Sequence, residues 1–277
     1  MSGEELQVAV NQFRGVGNQA PEMLLASAAL PASPAGGALS RAVTERGACN
    51  PPPPDGGVLC PLPGTATEVQ SISELLREKN WKVSSYQGEQ ALEEVVKKAA
   101  SPRVLHLATH GFFLPDEQAK TGASGSGQSS GVDDPMLRSG LFFAGADRTL
   151  NMEAPMEGME NGVLTAYEAT SLNLQGTELV VLSACETARG HVQYGEGVFG
   201  LGRALQEAGA EAVLMSLWSV PDQETQELMT QFYTNWLNGM EKPEALRRAE
   251  MTERDVVRKR YGKDLPYYWG AFVLVGH

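Results

Sequence analysis

The chain has 277 residues, of which 42% are hydrophobic, enough for one large domain with a sizeable core. Its 22 basic and 34 acidic residues leave a formal net charge of -12 without a basic patch, which argues against a nucleic-acid partner and for a well-solvated surface. Three cysteines, Cys49, Cys60 and Cys185, do not make a disulfide framework, and the four histidines are not grouped with them at metal-ligand spacing. No apolar run approaches the ~20 residues of a membrane span, and the acidic N-terminus lacks a signal-peptide pattern. The expectation is a cytoplasmic protein with no metal, cofactor or membrane partner.

Residues 1–57 differ from the rest. Alanine, glycine and proline dominate 21–57, and the four consecutive prolines at 51–54 favour an extended polyproline II segment. This part is expected to be a partly irregular arm, with residues 23–30 as a short helix or strand packed on the core. The folded domain is expected to span 58–277.

Order begins near Leu59. Thr65 with Glu68 three residues on has the form of a capping box. Val69, Ile72, Leu75 and Leu76 then repeat at helical spacing. A strand over 81–86, a helix over 90–100 and a strand over 103–109 follow, an alternation that suggests a parallel sheet. Residues 114–138 are irregular. Their glycine- and serine-rich stretch 122–131 has no apolar anchor and is expected to be mobile. Beyond it come a strand over 139–146, a turn or short hairpin over 147–160, and a short helix over 165–172. Residues 197–208 form a helix with Val198, Leu201 and Leu205 inward, and 212–220 a buried strand. A long helix starts at Asp222 or Gln223, the next has Pro243 in its first turn, and a last strand spans 268–275. The fold class expected is a three-layer α/β sandwich with a mostly parallel six-stranded sheet between helices.

Two of these strands carry chemistry. One apolar run ends in Ala108-Thr109-His110-Gly111, and another runs from Val180 through Leu182 to Ser183-Ala184-Cys185-Glu186-Thr187. In open α/β sheets the reactive crevice lies outside the carboxyl ends of the strands. An imidazole and a thiol at two such ends suit a cysteine nucleophile, because the thiolate is the reactive form and a nearby imidazole favours it. His106, on the same face of its strand as His110, is expected to be a core histidine.

The pair ATHG and LSACET resembles the CHAT family of caspase-like and separase-like cysteine peptidases, often fused to tetratricopeptide repeats. Further segments agree in order: LPGTATEV from Leu62, LTAYEA from Leu164, GEGVFGLGRAL from Gly195, SLWSVPDQET from Ser216 and YYWGAFVLVG from Tyr267. The resemblance implies a cysteine endopeptidase acting on protein substrates. Cys185 is its nucleophile, His110 its base and proton donor, and the N–H groups of Gly111 and Cys185 its oxyanion hole. No clear third group orients His110. No 34-residue repeat is present, so an activating sensor or repeat domain would be a partner. Only residues 186–196 fill the interval that in caspases holds a cleavable linker, so ordering of loops by a partner is expected in place of cutting. The alternative is a catalytically silent CHAT-like scaffold that only binds.

Residues 216–222 should wall the pocket for the residue before the scissile bond. Caspases place an arginine in the corresponding region to pair with aspartate, whereas no basic residue occurs here between Arg203 and Lys242. Trp218 offers an apolar wall and Asp222 a carboxylate, which suit arginine or lysine, as in separase-like relatives. The other reading is that Asp222 only caps the helix it begins; a Met or Leu preference would then follow.

Overall fold

The structure, a computed structural model, describes residues 23–27, 62–113, 135–151, 153–183, 196–218 and 220–276. Short apolar runs pair edge to edge through β1 (Met23–Ser27), β2 (Val83–Gln87), β3 (Val104–Ala108), β7 (Leu179–Leu182), β8 (Ala212–Ser216) and β9 (Phe272–Gly276). They form a six-stranded sheet in the order β2-β1-β3-β7-β8-β9, parallel throughout except for β9, which runs against β8. β3, β7 and β8 are buried along their whole length, as strands covered on both faces must be. Alternation divides their side chains between two cores. Leu105, Leu107, Val180 and Leu182 face one side, and Val104, Ala108, Leu179 and Val181 the other.

On the second side pack α1 (Pro63–Glu78), α6 (Asp222–Leu237) and α7 (Lys242–Tyr261). They contribute Val69, Ile72 and Leu76, then Leu228, Phe232 and Tyr233, then Ala245 and Ala249. On the first side lie α2 (Glu93–Lys97), α3 (Ala146–Leu150), α4 (Ala166–Ala169) and α5 (Glu196–Glu207). With them is a three-stranded antiparallel sheet of β4 (Gly111–Phe113), β5 (Ser139–Phe142) and β6 (Val163–Thr165). A one-turn helix, α8 (Pro266–Trp269), leads into β9. This is the expected three-layer sandwich with a mostly parallel six-stranded sheet.

Several local expectations are narrowed or overturned. The segment at 23–30 yields a strand, β1, which inserts between β2 and β3. The strand expected over 139–146 stops at Phe142, and Ala146 already opens α3. The helix expected over 90–100 shortens to α2 after a turn of 3₁₀ helix. The capping box expected at Thr65 and Glu68 does not form. Pro63 already occupies the first turn of α1, Thr65 donates its hydroxyl to the Leu62 carbonyl, and Glu68 turns into the core. The same pattern does form a capping box at Thr165 and Glu168, at the start of α4. The arm's proline run, the stretch 122–131, Cys49, Cys60 and His191 lie outside the described residues.

Packing between α6 and α7 includes a carboxyl that burial perturbs. Glu253 of α7 is 3% exposed, and its Oε1 has no hydrogen-bond partner among the described residues. Burial pushes this carboxyl up to about 7, with Glu227 and Glu224 adding to the rise and Arg260 opposing it. The folded state therefore holds a proton that the unfolded chain releases near pH 4.5. Stability from this group is full below that pH and is lost as pH rises toward 7. Glu253→Gln, which cannot ionise, is expected to flatten the decline between pH 5 and 8 and to raise stability at pH 8 by ~1–3 kcal/mol. Denaturant midpoints of the two chains at both pH values check this; parallel pH profiles would contradict it.

Candidate functional site

The site is built around the carboxyl ends of β3 and β7. Beyond Ala108, Thr109 donates its hydroxyl to the Phe142 carbonyl, and the Phe142 N–H donates to the His110 carbonyl at 2.9 Å. Both residues of the β3–β4 junction are thus clipped to one residue of β5, and the buried imidazole of His110 starts from a fixed backbone. Phe112 stacks on Phe142 with ring centres 4.9 Å apart, which holds the clip from the core side. Since the bond from Phe142 to His110 flanks the Gly111–Leu141 pair, that pair is of the non-hydrogen-bonded kind. The N–H and C=O of Gly111 therefore point away from β5.

Asp222 begins α6 but does not cap it. Pro221 is the N-cap, and no side chain closes that end. The Asp222 carboxylate instead accepts the N–H of Gly64, at the N-terminus of α1, where the residue at α1's own N-cap, Leu62, supplies no side-chain acceptor. One helix is thus capped by the first residue of another. The approach needs glycine, because a Cβ at position 64 would stand 2.6 Å from the Asp222 carboxyl carbon. Burial raises the Asp222 carboxyl above its ordinary value, while the Gly64 N–H and the charge of His110 pull it back. Asp222 and His110 therefore share one electrostatic neighbourhood, which the sequence left without an orienting group for the histidine.

Trp218 sits between β8 and α6. Its indole N–H donates to the Tyr267 carbonyl at 2.9 Å, and its partly buried ring packs against the core on the second side of the sheet. The neighbouring Leu217 N–H reaches the Ala271 carbonyl at 2.8 Å, so the segment after β8 stays paired to the start of β9.

The nucleophile candidate Cys185 lies outside the described residues, but the chain leading to it is defined as far as Ser183. The Ser183 N–H extends the ladder to Leu107 at 2.9 Å. Its hydroxyl donates to Glu68 Oε2 at 3.0 Å, and Glu68 Oε1 stands 3.0 Å from His106 Nε2. His106 Nδ1 lies 3.1 Å from the hydroxyl of Tyr233. All four side chains are buried. Burial, reinforced by the Glu68 charge, pushes the Tyr233 phenol well up. His106 is thus the core histidine expected. Its partner Glu68 went unrecognised because the capping pattern offered that carboxylate a local use.

Among the described residues no group of three His, Cys, Asp or Glu is arranged to hold a metal ion, and no helix is long and apolar enough to cross a membrane.

A family model described as the CHAT domain matches residues 30–277. Among curated proteins, tetratricopeptide repeat protein 28 of Mus musculus is 28% identical over 221 residues, covering 78% of this chain and 9% of its own length. Tetratricopeptide repeat protein 28 of Homo sapiens is 35% identical over 114 residues, covering 41% of this chain and 4% of its own length. The chain thus spans less than a tenth of these relatives. Among solved structures, the complex of Porphyromonas gingivalis RgpB pro- and mature domains superposes with a TM-score of 0.47 at 11% identity, covering 92% of this chain and 47% of that one. The Arg-specific cysteine proteinase gingipain R also gives 0.47, at 10% identity, covering 100% of this chain and 52% of that one.

The cross-helix cap makes a prediction that needs no substrate. Asp222→Ala removes the acceptor for the Gly64 N–H and is expected to lower unfolding free energy by ~1 kcal/mol. Gly64→Ala, which forces the two helices apart, is expected to cost ~1–3 kcal/mol. Denaturant unfolding measures both, and an unchanged midpoint in Asp222→Ala would contradict the cap.

Proposed function

The chain belongs to the CHAT domain family, and on that premise we propose that it is a caspase-like cysteine endopeptidase. Cys185 is the nucleophile and His110 the base. The observation that carries this is the placement of His110. It is clipped to β5 at the carboxyl end of β3, beside β7, whose chain runs on through Ser183 toward Cys185.

In this mechanism His110 takes the thiol proton, and the thiolate attacks the scissile carbonyl. The oxygen that gains charge is met by the N–H of Gly111, which points away from the β4–β5 ladder, and by that of Cys185. His110 then gives the proton to the departing amine as the carbon–nitrogen bond breaks, leaving a thioester. Water, deprotonated by His110, cleaves the thioester and regenerates the thiol.

The residue before the scissile bond is arginine or lysine. A carboxylate has about four acceptor positions, and the Gly64 N–H takes one of those on Asp222. The remainder can receive a guanidinium or ammonium, with Trp218 along the aliphatic stem. Capping α1 and binding a cation are thus compatible uses of the same group. Activation comes from a sensor or repeat-bearing partner that orders loops at the sheet edge. The tetratricopeptide repeats named in the relatives support a partner of that kind.

Cys185→Ala and His110→Ala are each expected to reduce peptide cleavage by at least about 10³-fold while leaving each chain folded. Matched peptides with Arg, Asp or Leu before the scissile bond should be cleaved in the order Arg first and Asp last, and Asp222→Asn should erase the Arg preference. Wild-type turnover in a soluble Cys185→Ala chain, or fast cleavage after Asp, would overturn the assignment.

A further inference from the structure

Glu68, His106, Ser183 and Tyr233 take no chemical part in that reaction, yet they form a continuous polar path through the largely apolar layer between the sheet and α1 and α6. Apolar residues of similar volume are often as stable as a buried ionisable pair, or more so. Packing alone therefore does not account for the path.

It connects the two strand ends that the proposed reaction uses. Glu68 holds His106, four residues before His110 on the β3 chain, and Ser183, two residues before Cys185 on the β7 chain. Ser183 is fixed twice, by its N–H to Leu107 and by its hydroxyl to Glu68. One helical turn earlier, on the same face of α1, Gly64 holds Asp222. Tyr233, further along the helix that Asp222 begins, meets the other nitrogen of His106. The first two turns of α1 thus set where β7 releases its chain and where α6 begins.

We propose that Glu68 and Ser183 are positioning residues for the nucleophile, the hydroxyl-to-carboxylate bond fixing the chain exit from β7 so that the thiol meets His110. Both side chains are buried, and in that low local dielectric the bond is electrostatically stronger than its surface counterpart. The inference rests on the peptidase reading, and it concerns geometry only; no proton passes along the path.

The test uses the full chain with Ser183→Ala and Glu68→Gln, and two readouts. Ser183→Ala is expected to lower kcat for an arginyl peptide at least about tenfold with KM within threefold, since Asp222 and Trp218 are untouched. Backbone hydrogen exchange at Ser183, whose N–H is bonded to Leu107, should rise at least about tenfold while Leu179–Leu182 stay protected. Glu68→Gln keeps an oxygen that accepts the Ser183 hydroxyl, and should retain at least ten times the kcat of Ser183→Ala. Wild-type kcat in Ser183→Ala, unchanged exchange at Ser183, or a Glu68→Gln chain as slow as Ser183→Ala would each overturn the proposal. If the parent chain cleaves no peptide even when its activating partner is bound, the peptidase reading fails by itself. The exchange comparison then still decides whether the bond fixes the chain exit.

Discussion

The carboxylate of Glu68, enclosed between α1 and the sheet, is the constraint that the candidate site depends on. Taking a carboxylate out of water costs several kcal/mol unless donors surround it, so α1 is held where His106 and Ser183 can reach it. That requirement sets the rotation of α1 about its axis. It turns Val69, Ile72 and Leu76 onto the sheet and brings Gly64 against Asp222. Removing one partner of such a buried pair costs roughly 3–5 kcal/mol, because the other is left charged or unbonded. The position of α1 is therefore coupled to the two strand ends it touches.

A second polar cluster performs a comparable task on the other face. Lys97 of α2 stands 2.6 Å from Glu93, 2.9 Å from Glu168 and 3.1 Å from Glu160. Burial alone would lower the lysine, but its bonds to Glu93, Glu168 and Glu160 hold it above its ordinary value. Glu93 also accepts the Val163 N–H at 3.1 Å, which ties β6 to α2. Since β6 pairs with β5, and Phe142 of β5 clips Thr109 and His110, this cluster anchors the small sheet that supports the histidine.

Most of the architecture was legible in the sequence, because apolar runs of four or five residues alternating with helical periodicity specify a parallel sheet between helices with little ambiguity. β1 was harder. Its five residues sit in a segment rich in alanine, glycine and proline, and only pairing with β2 and β3 makes it a strand. His110, Gly111 and Asp222 stood out from strand-end position and motif. Their relations did not, since Gly64 and Asp222 are 158 positions apart and no local pattern links them. Glu68 was misassigned for a physical reason. A Thr-x-x-Glu pattern names a possible local bond, and a buried imidazole elsewhere in the fold competed for the same carboxylate and won. At Thr165 and Glu168 the local bonds do form, and that glutamate also reaches Lys97.

The proposed reaction requires this edge of the sheet to activate one particular thiol toward an arginine-bearing substrate. Covalent capture measures it most directly. The full chain is incubated with a short peptide ending in an arginyl chloromethyl ketone, and the adduct is located by mass spectrometry. A single adduct on Cys185 is expected, formed much faster than with the corresponding aspartyl chloromethyl ketone and lost in His110→Ala. An adduct distributed over Cys49, Cys60 and Cys185, or labelling of Cys185 indifferent to His110, would contradict it.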